Sequence, residues 1–145
     1  MSRILAATDG SEGADRAIDY AARRAKADGA ELLIVNVAGG YGLPEKVWVA
    51  FTNDQSALLK ELLESHSAET LTAARERARK AGAGTILLES RTGEVAQTII
   101  EIAQEKKADE IVVGKRGAGR VAGVLLGSIS QKLVILSPVP LTVIP

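Results

Sequence analysis

Residues 32–37 read Leu32-Leu33-Ile34-Val35-Asn36-Val37, a nearly continuous apolar run. Such a run is typical of a strand that is covered on both faces, as in a parallel sheet. A shorter apolar run, Ile4 to Thr8, precedes it and ends at Asp9-Gly10-Ser11. Between the two runs, apolar residues recur at helical spacing, at Ala14, Ala17, Ile18, Ala21, Ala22 and Ala25. Because Gly29 then ends the helical pattern, the order predicted here is strand, helix, strand.

The rest of the chain continues this alternation. The patterns predict a helix over 54–80, a strand over 85–90, a helix from 93, a strand over 111–113, a helix over 128–136 and a strand over 141–144. Strict alternation of strands and helices favours a parallel sheet joined by right-handed crossovers. We therefore predict an α/β fold: one domain over residues 1–145, with a doubly wound five-stranded parallel sheet and helices on both faces.

The composition excludes several classes of protein. With 145 residues, 46% hydrophobic and 25% charged, the chain fits one globular domain. Eighteen basic and eighteen acidic residues balance, which argues against nonspecific binding to nucleic acid or to a membrane surface. The absence of cysteine and the single histidine, His66, exclude disulfides, thiol nucleophiles and multi-histidine metal sites. Because no apolar run approaches the length of a membrane span and the start lacks a signal-peptide pattern, we expect a cytoplasmic protein.

The segment from Gly114 to Ser128 contains five of the fourteen glycines, three basic residues and no acidic residue. Glycines leave backbone N–H groups accessible, and a helix that begins near Gly127 adds unpaired N–H groups and a positive dipole end. The segment therefore predicts an anion site, with phosphate as the natural ligand. The alternative is a flexible connection in which the glycines only form turns.

Two nucleotide motifs match this segment only superficially. Residues 117–122 fit the dinucleotide pattern G-x-G-x-x-A, but the twenty-three residues that follow are too few for the required βαβ unit. Residues 123–128 lack the spacing and the lysine of a Walker A loop, which disfavours a fast nucleotide hydrolase.

The remaining pattern is Gly114-x2-Gly117-x9-Gly127-Ser128, placed after a strand and leading into a helix. Here the sequence resembles the universal stress protein family, whose ATP-binding members carry G-x2-G-x9-G-S/T at this place. The resemblance covers essentially the whole chain and implies the sheet order 3-2-1-4-5. An independent argument agrees: if Asp9 and Gly114 share a ligand, strands one and four must be neighbours, which the order 2-1-3-4-5 does not provide.

The resemblance also implies a site for ATP, or another adenine nucleotide, bound with Mg or Mn. Asp9 would accept hydrogen bonds from the ribose, although a helix-capping role is the alternative for this residue. The remaining implied contacts are Gly114, Gly117, Gly127 and Ser128 at the phosphates, Ile129 and Ser130 beside them, Ala7 and Val37 at the adenine, and Thr8 and Val113 nearby. The sequence identifies no catalytic residue and no metal ligand.

Three functions are compatible with these observations. The first is a nucleotide-dependent sensor or adaptor in a stress response, which the resemblance implies. The second is a slow ATPase or autokinase that uses Ser128 or a nearby hydroxyl, although no general base is evident. The third is an interaction domain without nucleotide. The resemblance also implies a homodimer through the edge strand Leu141–Ile144, while the sequence does not identify a regulatory protein partner.

Overall fold

The computed structural model describes residues 2–38, 53–115 and 126–145, except the side chains of residues 53–56 and 60. Strands and helices alternate throughout this part of the chain. They are β1 (Arg3–Ala7), α1 (Glu12–Asp28), β2 (Glu31–Ala38), α2 (Asn53–Lys80), β3 (Ile86–Thr92), α3 (Val95–Glu105), β4 (Glu110–Gly114), α4 (Ser128–Leu136) and β5 (Leu141–Ile144). Every predicted element is present. None of the described helices is long and apolar enough to cross a membrane.

The five strands form one parallel sheet in the order β3-β2-β1-β4-β5, which confirms the predicted order. Ala6 of β1 pairs with Val112 of β4, and Ala7 of β1 pairs with Val35 of β2. The chain therefore winds outward in opposite directions from β1 and β4. In such a sheet the crevice for a ligand opens beyond the carboxyl ends of these two strands.

Apolar clusters cover the sheet on both faces, as the continuous strand pattern predicts. On one face, Leu32 and Ile34 of β2 pack with residues of α1 and α2. On the other face, Leu33 and Val35 pack with residues of α3 and α4. The side chains of β2 alternate between the two layers because successive residues of a strand point to opposite faces.

The edge strand β3 departs from the sequence interpretation in its position and its burial. It covers Ile86–Thr92, so it begins one residue later and ends two residues later than the predicted strand 85–90. Leu87 and Leu88 are 39% and 38% exposed, whereas Leu32 and Leu33 of β2 are almost completely buried. The difference arises because β3 has a neighbouring strand on one side only.

Candidate functional site

The first turn of α1 lies directly against the end of β4. A Cβ atom added to Gly114 would lie 2.9 Å from the carbonyl carbon and oxygen of Gly13, and 3.2 Å from the nitrogen of Ala14. A side chain at position 114 would therefore overlap the helix backbone. This close packing brings the β1–α1 loop, residues 8–11, next to the start of the β4–α4 connection. Two segments in which the sequence predicts ligand contacts thus meet at one place.

Hydrogen bonds to β2 hold Thr8, the first residue after β1. Its N–H donates to the carbonyl oxygen of Val35 over 2.9 Å, and its carbonyl oxygen accepts from the side-chain amide of Asn36 over 2.8 Å. The Thr8 hydroxyl oxygen accepts from the N–H of Gly10 over 3.1 Å. The backbone that leads into Asp9 is therefore fixed from both sides.

Asp9 shapes the turn that leads into α1. Its carboxylate oxygen Oδ1 accepts a hydrogen bond from the N–H of Ser11 over 2.9 Å. The N-cap of α1 is Ser11, whose hydroxyl oxygen accepts from the N–H of Ala14 over 3.2 Å. The alternative assignment of Asp9 as the cap is therefore wrong. Asp9 is half-buried in the loop at the mouth of the crevice.

A chain of hydrogen-bonded polar side chains begins at the same loop, and the sequence analysis missed it. The Asn36 carbonyl oxygen Oδ1 accepts from the Ser67 hydroxyl of α2 over 2.6 Å, and the Ser67 and Ser90 hydroxyl oxygens are 2.7 Å apart. Asn36 is 2% exposed and Ser67 is 1% exposed. The available signal was one polar residue inside the apolar run 32–37. Its meaning depends on which residues of α2 and β3 pack beside it.

The start of α4 forms the other side of the crevice. Gly127 is the N-cap and makes no side-chain capping bond, and the first turn of this described helix contains no acidic residue. The Gly127 N–H donates to the Lys115 carbonyl oxygen over 2.9 Å, so the two described ends of the β4–α4 connection are joined. Ser128 is exposed at the first position of the helix. Gly117 lies outside the described residues.

Ser130 binds the start of α4 to the end of β4. Its side chain is buried, and its hydroxyl lies 2.9 Å from the Gly114 carbonyl oxygen and 3.2 Å from the Lys115 carbonyl oxygen, to which it donates. The Ser130 hydrogen is therefore used to fasten α4 to the end of β4. This role was not apparent from the sequence pattern, because it depends on the path of the chain after β4.

Four predicted contact residues lie in or against the apolar layer between the sheet and the helices α3 and α4. Val37 and Val113 are 9% and 5% exposed, while Ala7 and Ile129 are half-buried against the same cluster. Each also lies at the end of its strand or the start of its helix, beside the crevice. Val37 and Val113 thus form part of the core near the carboxyl ends of their strands.

A cleft of about 330 Å³ separates the β1–α1 loop from α2. Its lining includes Thr8, Asp9 and Gly10 on the loop and His66, Glu69 and Thr70 on the helix. His66 is exposed on the surface of α2. Among the described residues, no group of three His, Cys, Asp or Glu side chains is arranged to hold a metal ion. A metal site built from protein ligands alone is therefore not found in that part of the chain.

Comparisons with known proteins agree with this architecture. A universal stress protein of Thermus aquaticus, described as lying in the QAH/OAS sulfhydrylase 3' region, is 35% identical over 144 residues, which cover 97% of this chain and 96% of the relative. The solved structure of universal stress protein UspA from Lactobacillus plantarum superimposes with a TM-score of 0.83 at 26% identity, covering 99% and 97% of the two chains. A universal stress protein crystallised in complex with cAMP gives a TM-score of 0.74 at 27% identity over 99% and 95%. A profile described as the universal stress protein family matches residues 1–145, and the chain therefore belongs to that family.

Proposed function

We propose that this protein binds an adenine nucleotide, with ATP as the physiological ligand, in the crevice between the β1–α1 loop and the start of α4. The observation that carries the proposal is the contact of Gly114 with the first turn of α1, which brings the β1–α1 loop to the end of β4, where the bonds of Gly127 and Ser130 hold the start of α4. The related protein of known structure that was crystallised with cAMP supports an adenine nucleotide as the ligand class.

The start of α4 is suited to the phosphates. Gly127 offers backbone without a side chain, and the described first turn has no acidic residue to repel an anion. Unpaired N–H groups at a helix N-terminus attract phosphate oxygens. We assign the phosphate contacts to Gly114, Gly117, Gly127 and Ser128. Ile129 and the buried Ser130 support them from the same turn.

The β1–α1 loop is suited to the nucleoside. Asp9 is half-buried, and a carboxylate has several lone pairs, so it can accept from Ser11 and from a ribose hydroxyl together. Ala7 and Val37 would contact the adenine ring, with Thr8 and Val113 beside them. Mg²⁺ or Mn²⁺ would be held chiefly by the phosphates themselves, because Mg²⁺ usually keeps several waters and few protein ligands.

We propose a sensor or adaptor role in which the bound nucleotide sets the conformation or the partner of the protein. Binding without rapid turnover fits this phosphate site, because the described first turn of α4 has no acidic residue that could act as a general base. A slow ATPase or autokinase acting through Ser128 is the competing function. Steady-state phosphate release, measured with Ser128→Ala as the control, separates the two.

Calorimetry with ATP tests the binding proposal. We expect Gly117→Val to abolish measurable binding, because a β-branched side chain would occupy space that the phosphates require. Gly84→Val is the matched control, since a side chain at this exposed glycine meets no atom within 4 Å. Equal ATP affinity in the folded Gly117→Val protein would remove the glycine segment from the site.

Asp9→Asn tests the nucleoside side of the site. Asn keeps an oxygen that can accept from Ser11 N–H, so the turn and the stability should change little. Asn replaces the other carboxylate oxygen with a donor, and we expect ATP affinity to fall by roughly tenfold. Unchanged affinity together with reduced stability would assign Asp9 to the turn alone.

A further inference from the structure

Asn36 is a buried amide near the carboxyl end of β2, on a face of that strand whose other side chains are apolar. Leu32 and Ile34 lie on the same face of β2 and are completely buried, and Asn36 itself is 2% exposed. Burying an amide is unfavourable unless its hydrogen bonds are replaced. An apolar side chain could fill this position without that requirement. The polar side chain therefore calls for a role beyond filling the core.

The hydrogen bonds of Asn36 are consistent with only one orientation of its side-chain amide. The Thr8 carbonyl oxygen can only accept, so the group facing it must be the Asn36 NH₂. The Asn36 oxygen then faces α2 and accepts the single hydroxyl hydrogen of Ser67. Because that hydrogen is used, the bond between Ser67 and Ser90 has Ser90 as the donor. The Thr8 carbonyl thus fixes which way the amide of Asn36 is turned, and Ser67 holds the amide in that orientation from the side of α2.

The end of this chain of bonds is the peptide that carries Asp9. The Thr8 carbonyl and the Asp9 N–H belong to the same planar trans peptide and point in opposite directions. Anchoring the carbonyl to Asn36 sets the direction of the Asp9 N–H and the starting point of the Asp9 side chain. The other side of Thr8 is held by its bond to Val35.

We propose that Asn36 is a positioning residue of the nucleotide site, and that Ser67 on α2 holds it in place. The inference rests on the proposed function and deepens it, because it links the site to an element that makes no contact with the phosphates. By linkage, any displacement of α2 that breaks the Ser67–Asn36 bond weakens nucleotide binding, and bound nucleotide opposes that displacement by the same factor. A sensor requires such a link between its ligand site and its surface.

The experiment uses Asn36→Leu, which keeps the branched shape of the side chain and removes both hydrogen bonds, and Ser67→Ala, which leaves the Asn36–Thr8 bond in place and removes the bonds of Ser67 to Asn36 and Ser90. The control is Ile34→Val, on the same face of the same strand, which weakens the core and whose apolar side chain forms no hydrogen bond to the loop. ATP affinity is measured by calorimetry at a temperature where all variants are folded. In parallel, the backbone amide resonances of Gly10 and Ser11 report the geometry of the loop without nucleotide.

We expect ATP affinity to fall about tenfold in Asn36→Leu, a few-fold in Ser67→Ala and not at all in Ile34→Val. The Gly10 and Ser11 amide resonances should move in the first two variants and stay in place in the control. In the Asp9→Asn background the effect of Asn36→Leu should shrink, because both changes act on one contact.

The outcomes separate the two proposals. If the wild-type protein binds no adenine nucleotide, the proposed function fails and this inference fails with it. If the wild-type protein binds ATP and Asn36→Leu binds it equally well with unshifted loop amides, only the positioning role is overturned. If Asn36→Leu does not fold, Ser67→Ala decides, since unchanged ATP affinity in that variant overturns the inference.

Discussion

Replacing Gly114 by alanine adds a single methyl group at the point where β4 meets α1. The sequence pattern explains this glycine by phosphate binding alone, whereas the structure adds a packing reason that holds without any ligand. The Cβ atom would meet the backbone of Gly13 and Ala14. These atoms belong to the start of a seventeen-residue helix and cannot rotate aside as the end of a flexible side chain could.

The expected loss of stability follows from the overlap. The contact at 2.9 Å is about 0.5 Å shorter than the 3.4 Å at which ordinary contacts begin, so α1 or β4 must shift by roughly that distance. Inserting a methyl group into a packed region costs about 1–3 kcal/mol. Alanine also restricts the unfolded chain more than glycine does, which raises the free energy of unfolding by about 0.4–1 kcal/mol. From the middles of these two ranges, we expect the free energy of unfolding to fall by about 1.3 kcal/mol.

Urea unfolding followed by circular dichroism measures this change, with the slope of the transition serving to check that the unfolding remains cooperative. Gly84→Ala is the matched control, because a Cβ at position 84 meets no atom within 4 Å. The control should be as stable as the wild type or slightly more stable. Both measurements are made without nucleotide, so that ligand binding does not contribute.

The reasoning is refuted if Gly114→Ala unfolds at the same urea concentration as the wild type with the same slope. In that case the helix would not lie as close to β4 as described. If such a fully stable variant had also lost ATP binding, the requirement for glycine at position 114 would come from the nucleotide instead.

Three further changes test other parts of the structure. Ser130→Ala removes the donor to the Gly114 carbonyl oxygen and should lower the free energy of unfolding by about 0.5–1.5 kcal/mol in urea titrations, whereas an unchanged midpoint would refute that role. For the proposed homodimer, Val143→Pro should yield monomers by light scattering. The carbonyls of Pro140 and Ile144 accept from β4 and the residue that follows it, so the alternation along β5 turns the Val143 N–H to the outer edge, where a partner strand could pair with it. A persisting dimer excludes this edge. Burial alone would raise the pKa of the Glu94 carboxyl, but hydrogen bonds from the Gln97 N–H and the Lys132 ammonium outweigh it and lower the pKa. The stability that the Glu94 carboxylate contributes should therefore be complete above the unfolded-state pKa of about 4.3 and be lost as the pH falls through the lower folded pKa. In acid unfolding experiments, the wild type should thus lose its higher stability relative to Glu94→Gln as the pH falls.

Local patterns were sufficient for the order and type of the elements. The apolar run in β2 and the helical spacing in α1 each depend on neighbours along the chain, and the structure has both elements where these patterns predict them. The strand order was also predictable, because the family resemblance and the placement of Asp9 and Gly114 after strands one and four led to the same answer. Periodicity reports which face of an element is apolar, and burial of apolar faces is the main driving force of folding.

The contacts between distant residues were not predictable in this way. Nothing in the local sequence pairs Asn36 with Ser67 or Ser90, which lie 31 and 54 positions further along the chain. Likewise, the pattern around Gly114 contains no sign that Gly13 packs against it. A hydrogen bond or a close backbone contact depends on distances of a few tenths of an ångström, and these are set when sheet and helices pack together rather than by the spacing of residue types. The chain sequence therefore specifies the layers and the loops that carry the candidate site, and the packing of α1 and α2 on the sheet specifies how those loops are held.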